Sequence, residues 1–140
     1  MKRPSAGCGA AIENEAGELL LIQRLKSPES GHWGLPGGKI DFGEAVETAI
    51  VREIKEELGV DIEVTGLACL TETIGADDGA HWVAPVYHAV IIDGDPEIKE
   101  PEKHGGWGWF AQDRMPSPLT TPTQQYLSSR NGDGLTRGEG

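Results

Sequence analysis

The chain has 140 residues, 37% of them apolar with aromatics included, and a formal net charge of −11. This is the length of one ordinary domain that can bury a core without disulfide support, and its acidity argues against a non-specific grip on nucleic acid, where Lys and Arg must displace counterions. No apolar run of signal-peptide length follows Met1-Lys2-Arg3 and no stretch is long enough to span a bilayer, so a cytoplasmic protein without a membrane partner is expected.

Two strand-like runs, residues 7–13 and 18–25, flank the turn-rich Asn14-Glu15-Ala16-Gly17 and predict a hairpin. Cys8 lies in the first run and Cys69 further on. Neither has metal-ligand spacing, and both are expected to be buried and reduced. Residues 26–33 read as a loop, and Gly34-Leu35-Pro36-Gly37-Gly38 is too glycine-rich for a regular element. Residues 44–58 predict a helix that ends on Gly59 as a left-handed cap. Ile50, Val51, Ile54 and Leu58 form its apolar stripe, with Glu47 in the same sector but near the helix start, where it reaches solvent. Asp61–Ile74 predicts a strand with a bulge at Gly66, and His81–Asp93 a second one bent at Pro85. A charged loop leads to a short strand at residues 107–110, and Thr121–Arg130 predicts a last helix with Pro122 in its first turn. Residues 131–140 are glycine-rich and polar and read as a disordered tail. There is neither an internal repeat nor a second core, so one α+β domain over residues 1–130 is expected.

The chemistry concentrates on the first helix. Taking Glu53 as zero, Glu57 lies at about +40° and Glu56 at about −60° on an α-helical wheel, so the three carboxylates share one edge. Like charges at these spacings cost helix stability, and a hard cation such as Mg²⁺ or Mn²⁺, which prefers oxygen ligands, relieves the repulsion. Gly34, Gly37, Gly38 and Gly43 precede the helix and let backbone approach the same ion. Arg52 can pair with Glu56 one turn on and orient the carboxylates.

Gly38, Glu44, Arg52, Glu53, Ile54, Glu56, Glu57, Gly59 and Val60 fit the pattern G-x₅-E-x₇-R-E-U-x-E-E-x-G-U, where U is aliphatic, at all nine restricted positions across 23 residues. This pattern is the Nudix box, and the chain resembles a Nudix hydrolase of the MutT-like kind. The approach Trp33-Gly34-Leu35-Pro36-Gly37-Gly38 is also similar. The resemblance implies an α/β/α sandwich around a mixed sheet, with the box as loop–helix–loop. It implies Mg²⁺-dependent (or Mn²⁺-dependent) hydrolysis of a phosphoanhydride in nucleoside diphosphate derivatives. Glu53, Glu56 and Glu57 match the family's metal ligands, and the Gly37 carbonyl its backbone ligand. By the same resemblance one of the glutamates is expected to be the general base, with Gly38, Glu44 and Arg52 in support. The resemblance also points to a further acidic group beyond the box, for which Glu100 and Glu102 are the candidates and Glu102 is preferred. Arg24 and Lys39 flank the box as candidate phosphate contacts. The implied partner is a nucleotide rather than a nucleic-acid polymer, and a homodimer is left open.

The base pocket is less legible. Trp33, Trp82, Tyr87, Trp107 and Trp109 are stacking candidates, and His81 and His88 sit on the long strand before the charged loop. The family's ADP-ribose, dinucleoside-polyphosphate and coenzyme A markers are absent. The remaining resemblance is to nucleoside triphosphate pyrophosphatases, which release a monophosphate and pyrophosphate. ADP-ribose or nucleoside diphosphate sugar hydrolysis is the alternative, and a non-catalytic nucleotide sensor is a third reading.

Overall fold

Residues 5–12 and 19–24 are almost wholly apolar, and strands of that kind must be covered on both faces. The computed structural model, which describes residues 2–75 and 77–131, places them in different sheets. Strand β1 (Ser5–Ile12) pairs parallel with β6 (His81–Asp93) and antiparallel with β4 (Gly37–Lys39), and β5 (Asp61–Ile74) lies antiparallel against the far side of β6. This mixed sheet has the order β4-β1-β6-β5. Strand β2 (Leu19–Arg24) instead sits between β3 (Trp33–Gly34) and β7 (His104–Phe110) in an antiparallel sheet.

The expected hairpin is therefore corrected. The turn forms, with Gly17 N–H on the Asn14 carbonyl at 3.0 Å, and one bridge joins Glu13 to Leu19 before the strands diverge. The cause is their double-sided burial. Cys8, Ala10, Ile12, Leu20 and Ile22 join one core, while Ala11, Leu19 and Leu21 join another. The glycine-rich approach to the box is also more regular than expected, since it contributes β3 and β4. Gly37 and Gly38 lie opposite Gly9 and Cys8 in register, and a Cβ at Gly37 would collide with the Cys8 carbonyl.

Helix α1 (Val46–Leu58) covers the first core and helix α2 (Thr121–Arg130) the second, through its fully buried Tyr126. The fold is α+β, two helices enclosing two sheets. Helix α1 starts two residues later than expected because Glu44 is held in a turn, its N–H on the Asp41 carbonyl at 3.0 Å and its carboxylate on the Asp41 N–H at 3.1 Å. Its C-terminus is the glycine cap, with Gly59 at φ 72° donating to the Lys55 carbonyl. Two orphan carbonyls of the last turn accept from outside, Leu58 from Glu97 N–H and Glu57 from Lys99 N–H, both at 3.1 Å.

The apolar stripe is rotated from the sequence expectation. Val51 is exposed, whereas Ala49, Ile50, Ile54 and Leu58 are fully buried and Glu57 is buried among them. Each large aliphatic side chain so buried contributes about 1.5–3 kcal/mol, an upper estimate. Glu47 is solvent-exposed, as expected.

The β5–β6 register slips between Val64 and Gly66, the expected bulge, and again between Leu67 and Cys69. At Pro85, which has no N–H, it is the β1–β6 ladder that is interrupted, between the pairs Ala6–Val83 and Gly9–Val86. Both cysteines are free. Cys8 is buried as expected, but Cys69 is only partly so. No helix among the described residues is long and apolar enough to cross a membrane. Apart from Asn131, the tail assigned to residues 131–140 lies outside the described residues.

Candidate active site

The box folds so that β4 and α1 face each other across a few ångströms. Gly38 lies against the Glu53 side chain, and a Cβ there would sit 2.6 Å from Glu53 Oε2. Gly37 N–H donates to Glu57 Oε1 at 3.1 Å. The two glycines thus let the strand edge meet two carboxylates at van der Waals or hydrogen-bond distance, which any side chain would prevent.

Arg52 organises the outer part of the box. Its Nε and one terminal nitrogen grip both oxygens of Glu44 at 2.7 and 2.8 Å, a bidentate pair. The same side chain donates to the Lys39 carbonyl at 3.1 Å, to Glu53 Oε2 at 3.2 Å and to Glu56 at 3.4 Å. The guanidinium holds the Glu44 carboxyl down at about 2. Glu44 and Arg52 therefore tie the loop, the strand and the helix together.

The three box glutamates grade from buried to exposed. Glu57 is 6% exposed, Glu53 is half-buried, and half of the Glu56 side chain is open to solvent. Desolvation raises the Glu57 pKa well above the usual carboxylate range, with the neighbouring Glu53 charge adding to it. Burial likewise raises Glu53, against the opposing pull of Arg52. Among the described residues no three acidic, His or Cys side chains converge on one point. The donor set nonetheless fits a hard cation: two adjacent, desolvated carboxylates repel each other while the nearest guanidinium is engaged mainly with Glu44.

Behind the box, a cavity of about 190 Å³ opens between the two sheets and the start of α2. Glu57, Gly37 and Gly38 line one wall, with Arg24 and His104, which are paired in register on β2 and β7, beside them. Arg24 donates to the Pro28 carbonyl at 2.6 Å and the Ser27 carbonyl at 3.2 Å. Its other terminal nitrogen makes no hydrogen bond among the described residues. Lys39, the other expected phosphate contact, has an exposed side chain that does not line the cavity.

His104 was not legible in the sequence. It is 7% exposed, its Nε2 is 3.8 Å from Glu57 Oε2, its Nδ1 has no partner among the described residues, and burial lowers its pKa. Only the β2–β7 register, which no local pattern encodes, brings it here. Cys8 also lines the cavity, and burial pushes its thiol up to about 11.

Of the acids beyond the box, the one near the site is Glu100 rather than Glu102. Glu100 is partly buried and its charge is among the main influences on Glu53, Glu57 and His104, whereas Glu102 is exposed and its influence on His104 is weaker than that of Glu100. The Lys99 N–H on the Glu57 carbonyl ties the Glu100 segment to the end of α1.

The aromatic candidates sort clearly. Trp33 packs edge-on against Phe110 and Trp107 against Trp109, and Tyr87 lies on the α1 core. Trp82 alone among them lines the cavity, its ring over Gly7 of β1. His88 packs against Tyr126, and His81 is not part of the cavity wall.

A NUDIX domain model matches residues 1–130. The chain is 36% identical over 92 residues to an ADP-ribose pyrophosphatase of Methanocaldococcus jannaschii, a match covering 66% of this chain and 54% of the relative. It is 33% identical over 112 residues to the human 8-oxo-dGDP phosphatase NUDT18, covering 79% of this chain and 33% of that protein. The chain thus spans about half or less of these curated relatives' length. The crystal structure of a MutT NUDIX hydrolase from Burkholderia pseudomallei superposes with a TM-score of 0.87 at 50% identity, covering 91% of this chain and 98% of the other. With a complete box, the two-helix, two-sheet architecture and a family match along almost its whole length, the chain belongs to the Nudix hydrolases.

Proposed function

We infer that the protein hydrolyses nucleoside triphosphates to a monophosphate and pyrophosphate in a Mg²⁺-dependent reaction. The observation that carries this reading is the placement of two desolvated carboxylates against the strand edge, Glu53 beside Gly38 and Glu57 on the Gly37 N–H, with Glu57 and both glycines on the wall of the cavity. Glu53, Glu56, Glu57 and the Gly37 carbonyl are the groups that would hold the ion. What Mg²⁺ supplies when bound is charge neutralisation at the phosphoanhydride and a template for in-line displacement. Arg24 contacts the phosphates with its free nitrogen, and we assign this role to it in preference to the exposed Lys39. Arg52 fixes one oxygen of Glu53 and leaves the other to accept the proton of the attacking water. Glu100 takes the place of Glu102 as the outlying acid, because its charge reaches both Glu53 and Glu57.

The sequence's resemblance to nucleoside triphosphate pyrophosphatases supports a triphosphate substrate, whereas the Methanocaldococcus relative's name supports ADP-ribose as a second reading. A panel of nucleoside triphosphates, ADP-ribose and nucleoside diphosphate sugars, assayed with Mg²⁺ and with Mn²⁺, decides between them. Pyrophosphate release from triphosphates is the expected result. AMP and ribose 5-phosphate from ADP-ribose, with triphosphates inert, would overturn it.

A further inference from the structure

One group on the cavity wall has no part in the hydrolytic reaction. Glu29 lies in the loop between β2 and β3, and its backbone adopts φ 62°, the sole positive φ of a non-glycine residue among those described. A left-handed conformation at such a residue costs about 1–3 kcal/mol and persists only where surrounding contacts impose it. Those contacts are present. Thr121 N–H donates to both Glu29 oxygens at 3.1 and 3.0 Å, and Thr121 Oγ1 donates to Oε2 at 2.7 Å. Glu29 N–H donates to Asp77 Oδ1 at 3.2 Å, which ties the loop to the turn between β5 and β6.

That turn joins Thr73 to its cross-strand partner Trp82, and both line the cavity, as do Thr71 and Glu29. Thr71 spends its hydroxyl hydrogen on the Ala84 carbonyl at 2.8 Å. The cavity therefore has a phosphate-facing wall at Glu57 and Arg24, and a second wall carrying an indole ring and a fixed carboxylate. An ionised carboxylate only accepts hydrogen bonds and has about four acceptor sites. Thr121 fills the two on Oε2 and one on Oε1, which leaves one on Oε1 for a ligand.

We propose that Glu29 is a specificity-determining residue that accepts a hydrogen bond from the exocyclic amino group of the nucleobase. The assignment rests on the nucleotide reading above but not on which phosphoanhydride is cleaved. It selects bases with an amino group (cytosine, adenine, guanine) over those carrying a carbonyl or hydrogen at that position (uracil, hypoxanthine). A carbonyl oxygen aimed at the carboxylate meets a second acceptor, and a missing amine leaves that acceptor without its partner.

The test is calorimetric binding of CMP against UMP and of GMP against IMP, for the full chain and for Glu29→Gln. The amide oxygen of Gln can still accept from Thr121, while its NH₂ group offers donors where the free acceptor was. The expected result is an amino-over-carbonyl preference of about tenfold or more for at least one pair, falling toward unity or inverting in Glu29→Gln. Should that variant unfold, Glu29→Asp, which keeps the charge but withdraws it by one methylene, lowers the preference in the same direction. A wild-type protein without preference, or a preference unchanged by the folded variants, overturns the proposal. If triphosphates are not hydrolysed but the binding preference still shifts, the triphosphate reading fails and the role of Glu29 stands.

Discussion

Gly38→Ala isolates the geometry of the catalytic box from its chemistry. No carboxylate is removed, yet the added Cβ would stand 2.6 Å from Glu53 Oε2 and closer still to the rest of that carboxyl group. Restoring ordinary contact requires the carboxyl to retreat by roughly 1 Å, since carbon and oxygen atoms repel steeply inside their optimal separation. The Glu53 side chain is 16% exposed and has room to rotate outward, and Gly38 lies in a strand conformation that alanine adopts without strain. Stability should therefore change by no more than about 1 kcal/mol. Activity should fall about 100-fold, the scale of a 1 Å misplacement at a reacting centre. Steady-state kinetics on the best substrate of the panel, beside a thermal melt, separates the two effects. A Gly38→Ala protein with wild-type melting and kcat within threefold of wild type would refute the idea that the close approach of Gly38 sets the position of Glu53.

Glu57→Gln should abolish metal-dependent turnover by about 1,000-fold or more, as loss of a central charge-stabilising group does. Its metal-free stability should instead become less dependent on pH. The pKa of the buried Glu57 is raised by folding, so wild type loses stability as pH rises from the ordinary carboxylate value through the raised one, and melts across pH 4–8 should show that loss only with Glu57 present. Glu44 has the opposite sign. Its folded pKa is lowered to about 2, so its stabilising effect is present above the ordinary value and is lost as pH falls toward 2. Acid titration of Glu44→Gln should lack that part of the unfolding curve. Glu100→Gln should lower kcat about tenfold while Glu102→Gln changes it less than twofold, and equal effects would contradict the assignment of the outlying acid.

Much of the box was legible in the sequence because its information is local. Helical spacing alone placed Glu53, Glu56 and Glu57 on one edge, and the glycine cap at Gly59 followed from residue type. The graded exposure of those glutamates was not legible, because it depends on which face of α1 the sheet covers. Val51, expected in the apolar stripe, is exposed and Glu57 is buried for that reason. The hairpin misreading has the same origin: a doubly buried strand carries no mark of which sheet it joins. His104 and Glu29 reach the cavity only through the β2–β7 register and the contact of a loop with α2, both set by residues distant in sequence. Spacing from a tryptophan favours Glu102 over Glu100, whereas the backbone contact of Lys99 with the end of α1, which no local pattern encodes, is what ties the Glu100 segment to the box helix.

The outer edge of the mixed sheet has a further consequence. Gln125 of α2 accepts from Glu72 N–H at 2.8 Å and donates to the Glu72 carbonyl at 2.7 Å, so its side-chain amide stands in for the neighbouring strand that β5 lacks at that point. One residue of the final helix thus blocks a stretch of backbone from templating another chain. The helix that shapes the cavity beside the box at its first turn also guards the exposed edge of the sheet at its second, so sequence changes that loosen α2 put the shape of the cavity and the protection of that edge at risk together.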